Sequence, residues 1–190
     1  MKNLTDFMMC LDNAIPDTVC DSLIQKFENA DDLVYSNNDW GFDYRSFHEL
    51  TLTTHPDFAE EQKVLYNTSQ KLYNFYKEKC NIQFFPEKIG YEDVRMKRYR
   101  INDEDQIGWH TDVGDYASSR RFLVMFYYLN DVEEGGETVF SDVITNDMPI
   151  KVLPKKGRVV IFPAMWMYPH KGMKPLSNDK YIVSTYCHYL

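Results

Sequence analysis

Apolar positions along this chain change their spacing near residue 90. Before it, Val19, Leu23, Ile24 and Phe27 recur at helical intervals behind Pro16, which predicts an amphipathic helix from Pro16 to about Ala30. Phe58, Val64, Leu65, Leu72, Phe75 and Tyr76 predict a second, longer helix within HPDFAEEQKVLYNTSQKLYNFYKEKC. A short strand is expected around Phe7 to Leu11, and DDLVYSNNDWGFDYRS reads as turn-rich. From residue 90 onward, β-prone runs (YEDVRMKRYRI, RFLVMFYYL, ETVF, IKVL, RVVIF, YIVSTYCHY) alternate with the turn signals EEGGE, PKKG and PLSND.

Helices first and strands afterwards predict an α+β fold in which helices support one face of a largely antiparallel sheet. The unbroken apolar runs FLVMFYYL and VVIF do not alternate, so their strands are expected to be buried on both faces. A sheet held between helices and a second sheet satisfies that, and a double-stranded β-helix, or jelly roll, is the architecture it suggests. We expect one domain over residues 1–190, with a helical support over about 1–89 and the core over about 90–190.

Composition narrows the partners. Aromatic residues make up 15% of the chain, with 14 Tyr and 12 Phe, which suits strands carrying large side chains on a pleated surface. A net charge of -8 repels a phosphate backbone, so no nucleic acid partner is expected. Cys10, Cys20, Cys80 and Cys187 show no CxxC pairing and read as buried thiols in a reducing, cytoplasmic setting. No apolar stretch approaches a membrane span, so no membrane partner is expected either.

The chemistry is carried by WHTDVGDY. On an extended strand, His110 and Asp112 would turn an imidazole and a carboxylate to one side. That is half a metal site. His170, after the aromatic run FPAMWMYP, is placed to complete a two-histidine, one-carboxylate face, the kind that leaves adjacent positions open on iron(II). His48 and His55 read as loop residues, and His188 as a surface or packing residue. Gly135 and Gly136 are expected at a tight turn, and Trp109 and Trp166 as pocket wall or core.

HxD, then YLNDVEEGGETVF, PKKGRVVIF, His170 and, ten residues later, Lys180 occur in an order that resembles the 2-oxoglutarate and Fe(II)-dependent oxygenases, in particular their prolyl 4-hydroxylase-like branch. The resemblance covers about residues 90–190. It implies a jelly-roll dioxygenase with iron(II) on His110, Asp112 and His170. It also implies that Lys180 takes the far carboxylate of 2-oxoglutarate, with Thr138 and Tyr99 beside it. A buried dianion needs such a fixed positive partner. Arg121, or its neighbour Arg120, and Tyr186 map to positions near the substrate, although Tyr186 stands where the branch often has tryptophan. INDEDQIGW is about two residues longer than the usual spacing.

The implied reaction is hydroxylation of a carbon centre, most directly a prolyl residue in a peptide or protein. Iron(II), 2-oxoglutarate and O2 are the implied cofactors, ascorbate the reductant, and succinate and CO2 the coproducts. Other readings of the same residues are an oxygenase acting on a free amino acid or another protein side chain, a cupin-like metal enzyme without 2-oxoglutarate, and a noncatalytic jelly-roll binding module. The loop Asp103 to Asp105 and the segment Ser36 to Ser46 are expected to border the substrate entrance.

Overall fold

The computed structural model describes residues 2–30, 33–39, 44–102, 104–141 and 148–190. Two helices and twelve strands form among them. In chain order these are β1 (Met9–Leu11), α1 (Asp17–Glu28), β2 (Tyr35–Asp39), β3 (Arg45–Thr51), α2 (Ala59–Lys79), β4 (Ile89–Tyr91), β5 (Arg95–Tyr99) and β6 (Gln106–His110). They continue with β7 (Arg121–Tyr128), β8 (Thr138–Phe140), β9 (Ile150–Val152), β10 (Val159–Pro163), β11 (His170–Gly172) and β12 (Lys180–Tyr189).

Pro16 caps α1 with an extended backbone, and Cys20, Leu23 and Phe27 form its buried face. Leu23 and Phe27 each contribute roughly 1.5–3 kcal/mol when fully buried. The long helix α2 lies beside it and buries Leu65, Tyr73 and Tyr76. Tyr73 takes the core place expected of Phe75, which is exposed. Lys26 of α1 joins the two helices through an ion pair with the buried Glu61 at 2.7 Å.

The strands pair antiparallel along one path, β1-β10-β7-β12-β5-β3-β6-β11-β8-β9, with β2 added to β3 and β4 to β12. The path rolls over into a nearly closed jelly roll. Strand β7 shows why its sequence does not alternate: Leu123, Met125 and Tyr127 enter the core shared with the helices, and Val124, Phe126 and Tyr128 enter the core inside the roll. The long strand β12 divides its faces the same way. Tyr181, Val183 and Cys187 face the helices, while Lys180, Ile182, Ser184 and Tyr186 face inward.

Several expectations are corrected. The chain before residue 90 is not helical support alone, because β2 and β3 lie between the two helices and β3 sits in the middle of the sheet, between β5 and β6. Its apolar-polar alternation was hidden by Glu49, a buried carboxylate that occupies an inward position. The early strand begins at Met9, since Phe7 closes a 3-10 turn. Cys10 is exposed on the edge strand β1, whereas Cys20, Cys80 and Cys187 are buried. Among the described residues, no helix is long and apolar enough to cross a membrane.

Candidate metal centre and its pocket

Strand β6 ends at His110, and strand β11 begins with His170 directly opposite it in register. Asp112 lies just past the end of β6 rather than on it. The chain bends there, and the carboxylate still arrives beside both imidazoles. The ring centroids of His110 and His170 are 4.2 Å apart, and His170 Nε2 lies 3.7 Å from Asp112 Oδ2. One donor atom from each of the three residues falls within 4.8 Å of the others.

Neighbouring groups fix each donor. His110 Nδ1 donates to the Gly108 carbonyl at 2.9 Å, and His170 Nδ1 donates to the Tyr168 carbonyl at 3.1 Å. A carbonyl can only accept, so each Nδ1 carries the proton and each Nε2 presents a lone pair. Asp112 Oδ1 accepts from the Tyr186 hydroxyl at 2.9 Å. Asp112 Oδ2 is buried and has no hydrogen-bond partner. An orphaned carboxylate oxygen beside two imidazole lone pairs fits a divalent metal held on one face, with open positions opposite. Burial, and then the neighbouring His170, depress the His110 pKa to about 4, so its imidazole is neutral and available at ordinary pH.

Behind this face a narrow pocket runs inside the roll. Lys180 closes its far end, 2% exposed, with Nζ donating to the Gly136 carbonyl at 3.0 Å and standing 4.4 Å from the centre of the Tyr99 ring. Burial outweighs everything else acting on this ammonium and pulls its pKa down to about 7. Thr138 lies beside it, its hydroxyl accepting from Tyr128 at 2.7 Å. The turn that brings the Gly136 carbonyl here has positive φ at both Gly135 and Gly136, +76° and +72°. Lys180, Thr138 and Tyr99, named from sequence, therefore line one end of the pocket whose other end is His110, Asp112 and His170.

Arg121 and Tyr186 converge on Asp112. Arg121 Nη1 donates to the Asp112 backbone carbonyl at 3.0 Å, its guanidinium lies 4.1 Å over the Tyr186 ring, and Glu92 accepts two hydrogen bonds from it at 2.7 and 2.8 Å. Both side chains thus orient Asp112. Arg120 is exposed on the outer groove.

Some residues of the pocket were not found from sequence. Lys97, two positions before Tyr99 on β5, also points inward, with its side chain 14% exposed and its Nζ 3.7 Å from Glu49 Oε2. Period-two spacing from Tyr99 was the available signal. Gly172 is a second: a Cβ there would come within 2.8 Å of Ile107 and 3.5 Å of the Lys180 ammonium. Ser184 is a third, with a buried hydroxyl that has no partner.

Other expectations fail on geometry. Trp109 and Trp166 are exposed, 44% and 72%, because the strand that turns His110 inward turns its neighbour Trp109 outward. Asp105 is fully buried and latches its own loop, accepting from Arg100 N and Nε and from the Ser46 hydroxyl, so it does not border an entrance. Asp103 and residues 40–43 of the other expected border lie outside the described residues. In that segment, Tyr35–Asp39 forms β2, and Arg45 lines the outer groove.

A family model described as the 2OG-Fe(II) oxygenase superfamily matches residues 94–188. Among solved structures, the chain is similar to the viral collagen prolyl hydroxylase of Paramecium Bursaria Chlorella virus-1, with a TM-score of 0.69, 21% identity and 97% of each chain covered. It is also similar to a prolyl hydroxylase of Trichoplax adhaerens solved with a hypoxia inducible factor peptide fragment, with a TM-score of 0.76 and 16% identity over 97% of this chain and 84% of that one. A Pseudomonas putida prolyl-4-hydroxylase gives a TM-score of 0.72 at 14% identity, over 96% and 92% of the two chains. No curated protein matches the sequence. At these identities the structural likeness establishes the jelly-roll fold.

Proposed function

Because the chain belongs to the 2OG-Fe(II) oxygenase superfamily, we propose that it hydroxylates a carbon centre in a peptide or protein, most directly a prolyl residue. Family membership makes it a 2-oxoglutarate-dependent dioxygenase and sets aside the readings without that cosubstrate. The observation that carries the proposal is the continuity of one pocket from the His110, Asp112 and His170 donors to the buried ammonium of Lys180. The fold shared with prolyl hydroxylases, one of them bound to a peptide fragment, supports the choice of substrate.

Bound iron(II), together with 2-oxoglutarate and O2, supplies an oxidant that replaces a substrate C–H hydrogen by hydroxyl, with succinate and CO2 as coproducts. The protein's part is to bind, orient and exclude water. His110 and His170, held in one tautomer by backbone carbonyls, and Asp112, aimed by Tyr186 and Arg121, hold the metal. Lys180 receives the carboxylate of the cosubstrate that lies away from the metal, with Thr138 and Tyr99 as its flanks. Val124, Phe126 and Ile182 line the pocket between the two ends and keep it dry.

The test is incubation of iron-loaded protein with 2-oxoglutarate, ascorbate and a panel of proline peptides. A peptide mass gain of one oxygen, matched by succinate, is expected. If no proline peptide raises succinate above the level formed without peptide, the prolyl assignment is wrong. Alanine at His110, Asp112 or His170 should abolish tight iron binding and leave the thermal unfolding of the metal-free protein nearly unchanged. Parent-like iron binding in all three variants would remove the metal assignment.

A further inference from the structure

An outer groove of about 570 Å³ shares Ile107, His110 and Asp112 with the inner pocket, and this groove gathers arginines. Arg45, Arg95, Arg120 and Arg121 line it, leaving Arg98, Arg100 and Arg158 for the rest of a chain whose net charge is -8. They come from the start of β3, the start of β5 and the turn into β7, so it is the fold that assembles them.

Their partners differ. Arg121 is engaged bidentately by Glu92. Arg45 meets Asp39 only at 3.4 Å, in a pair whose side chains are 42% and 51% exposed, which holds neither strongly. Among the described residues, no ion pair involves Arg95 or Arg120. Asp115, which also lines the groove, accepts from the Ser118 amide at 2.8 Å and the Ser118 hydroxyl at 2.6 Å. At the mouth of the site Arg95 and Arg120 therefore have no ion-pair partner among the described residues, and Arg45 has only the solvent-exposed Asp39.

Guanidinium forks recognise carboxylates and phosphates. Two features favour carboxylates on a peptide over a nucleic acid. Among the described residues, no Phe, Tyr or Trp lines the groove to stack bases. The acidic balance of the whole chain opposes the long, uniformly charged backbone of a nucleic acid more than a short peptide carrying a few carboxylates. Resting on the peptide-hydroxylase reading above, we infer that the substrate is an acidic peptide, with carboxylates flanking the target residue held by Arg45, Arg95 and Arg120.

Two fluorescein-labelled peptides, identical around one proline and flanked by Asp and Glu or by Lys, provide the test. Their binding is read by anisotropy on the iron- and 2-oxoglutarate-loaded protein without oxygen, at low and high salt, and their mass gain is read in air. The acidic peptide should bind at least tenfold more tightly, with the advantage shrinking as salt screens it. Arg95→Glu combined with Arg120→Glu should reverse the preference. Arg120→Glu alone, at an exposed position that the fold tolerates, should cut it severalfold. Equal binding of the two peptides, a preference that survives the charge reversal, or tighter binding of a single-stranded oligonucleotide would overturn the inference. If the acidic peptide binds as expected but no proline gains oxygen, the prolyl reading fails and the groove assignment stands. If proline is hydroxylated equally whatever its flanks, the groove assignment fails and the prolyl reading stands.

Discussion

Two lysines point into the same pocket, and their circumstances differ. Lys97 lies near its own carboxylate, Glu49, and 5.0 Å from the centre of the Phe47 ring. Glu49 is in turn hydrogen-bonded by the Tyr35 hydroxyl. Lys180 is more deeply buried and has only a backbone carbonyl within hydrogen-bonding reach among the described residues. Burial lowers the pKa of both, and Glu49 offsets part of that for Lys97. A buried charge without a counter-charge is unfavourable to folding, so its retention points to a partner from outside. Lys97 is balanced by the fold, and under the proposed function Lys180 is balanced by the carboxylate the pocket takes in.

The largest expected effect tests this distinction directly. Lys180→Met should weaken 2-oxoglutarate binding by a hundredfold or more, since leaving the ligand carboxylate unpaired costs about 3–5 kcal/mol and each 1.4 kcal/mol is about tenfold. The same change should raise the melting temperature of the empty protein by removing an unbalanced buried ammonium. Titration of 2-oxoglutarate into iron-loaded protein without oxygen, together with calorimetric unfolding, reads both. An unchanged affinity would end the carboxylate-binding role of Lys180.

Lys97→Met should behave oppositely. It strands Glu49 in the interior, so it should destabilise the protein by about 3 kcal/mol while shifting 2-oxoglutarate affinity far less than the Lys180 change does. Adding Glu49→Gln should restore much of the lost stability. A denaturant series on the single and double variants decides it, and a Lys97 variant of parental stability would show that the ion pair contributes nothing.

A smaller effect follows from pH. Folding holds the Lys180 pKa at about 7, below that of an exposed lysine, so the unfolded chain binds the extra proton. The stability contribution of this group should therefore rise as pH climbs from about 7 towards the ordinary lysine value. Cosubstrate binding needs the ammonium and should run the other way, weakening by up to about tenfold per unit above pH 7 and taking up a proton. Calorimetric titration in buffers of different ionisation enthalpy measures that proton, and its absence in Lys180→Met is the control.

The smallest effect belongs to the metal end. Tyr186→Phe removes the hydroxyl that aims Asp112 Oδ1 and should lower metal affinity by roughly tenfold, the range in which groups supporting a metal ligand act. A competitive chelator titration reads it. The variant should keep its affinity for the flanking acidic residues of a peptide, which depends on the outer groove.

The fold was legible wherever the pattern is simple. The helical spacing behind Pro16 became α1, and the consecutive apolar residues of FLVMFYYL became a strand buried on both sides. It was illegible where a polar residue holds a core position. Glu49 concealed β3 because an acid looks like solvent-facing chain until Lys97 is seen opposite it. Asp105 read as an exposed loop acid for the same reason, its partners being the distant Ser46 and the amide and side chain of Arg100.

By itself the sequence supplied the candidate inventory of the site: His110, Asp112 and His170 through residue type and spacing, and Lys180 through the resemblance carried by its position ten residues after His170. Only the tertiary structure decided what each inward-facing group is for. Arg121 and Tyr186, expected near substrate, also contact Asp112, which spacing along the chain does not show. Arg45, Arg95 and Arg120 are unremarkable in sequence and share a groove only because β3, β5 and the turn before β7 meet there. Residue type and local spacing are written in the chain, whereas charge balance depends on which carboxylates and cations the fold brings within a few ångströms, and long-range strand pairing sets that.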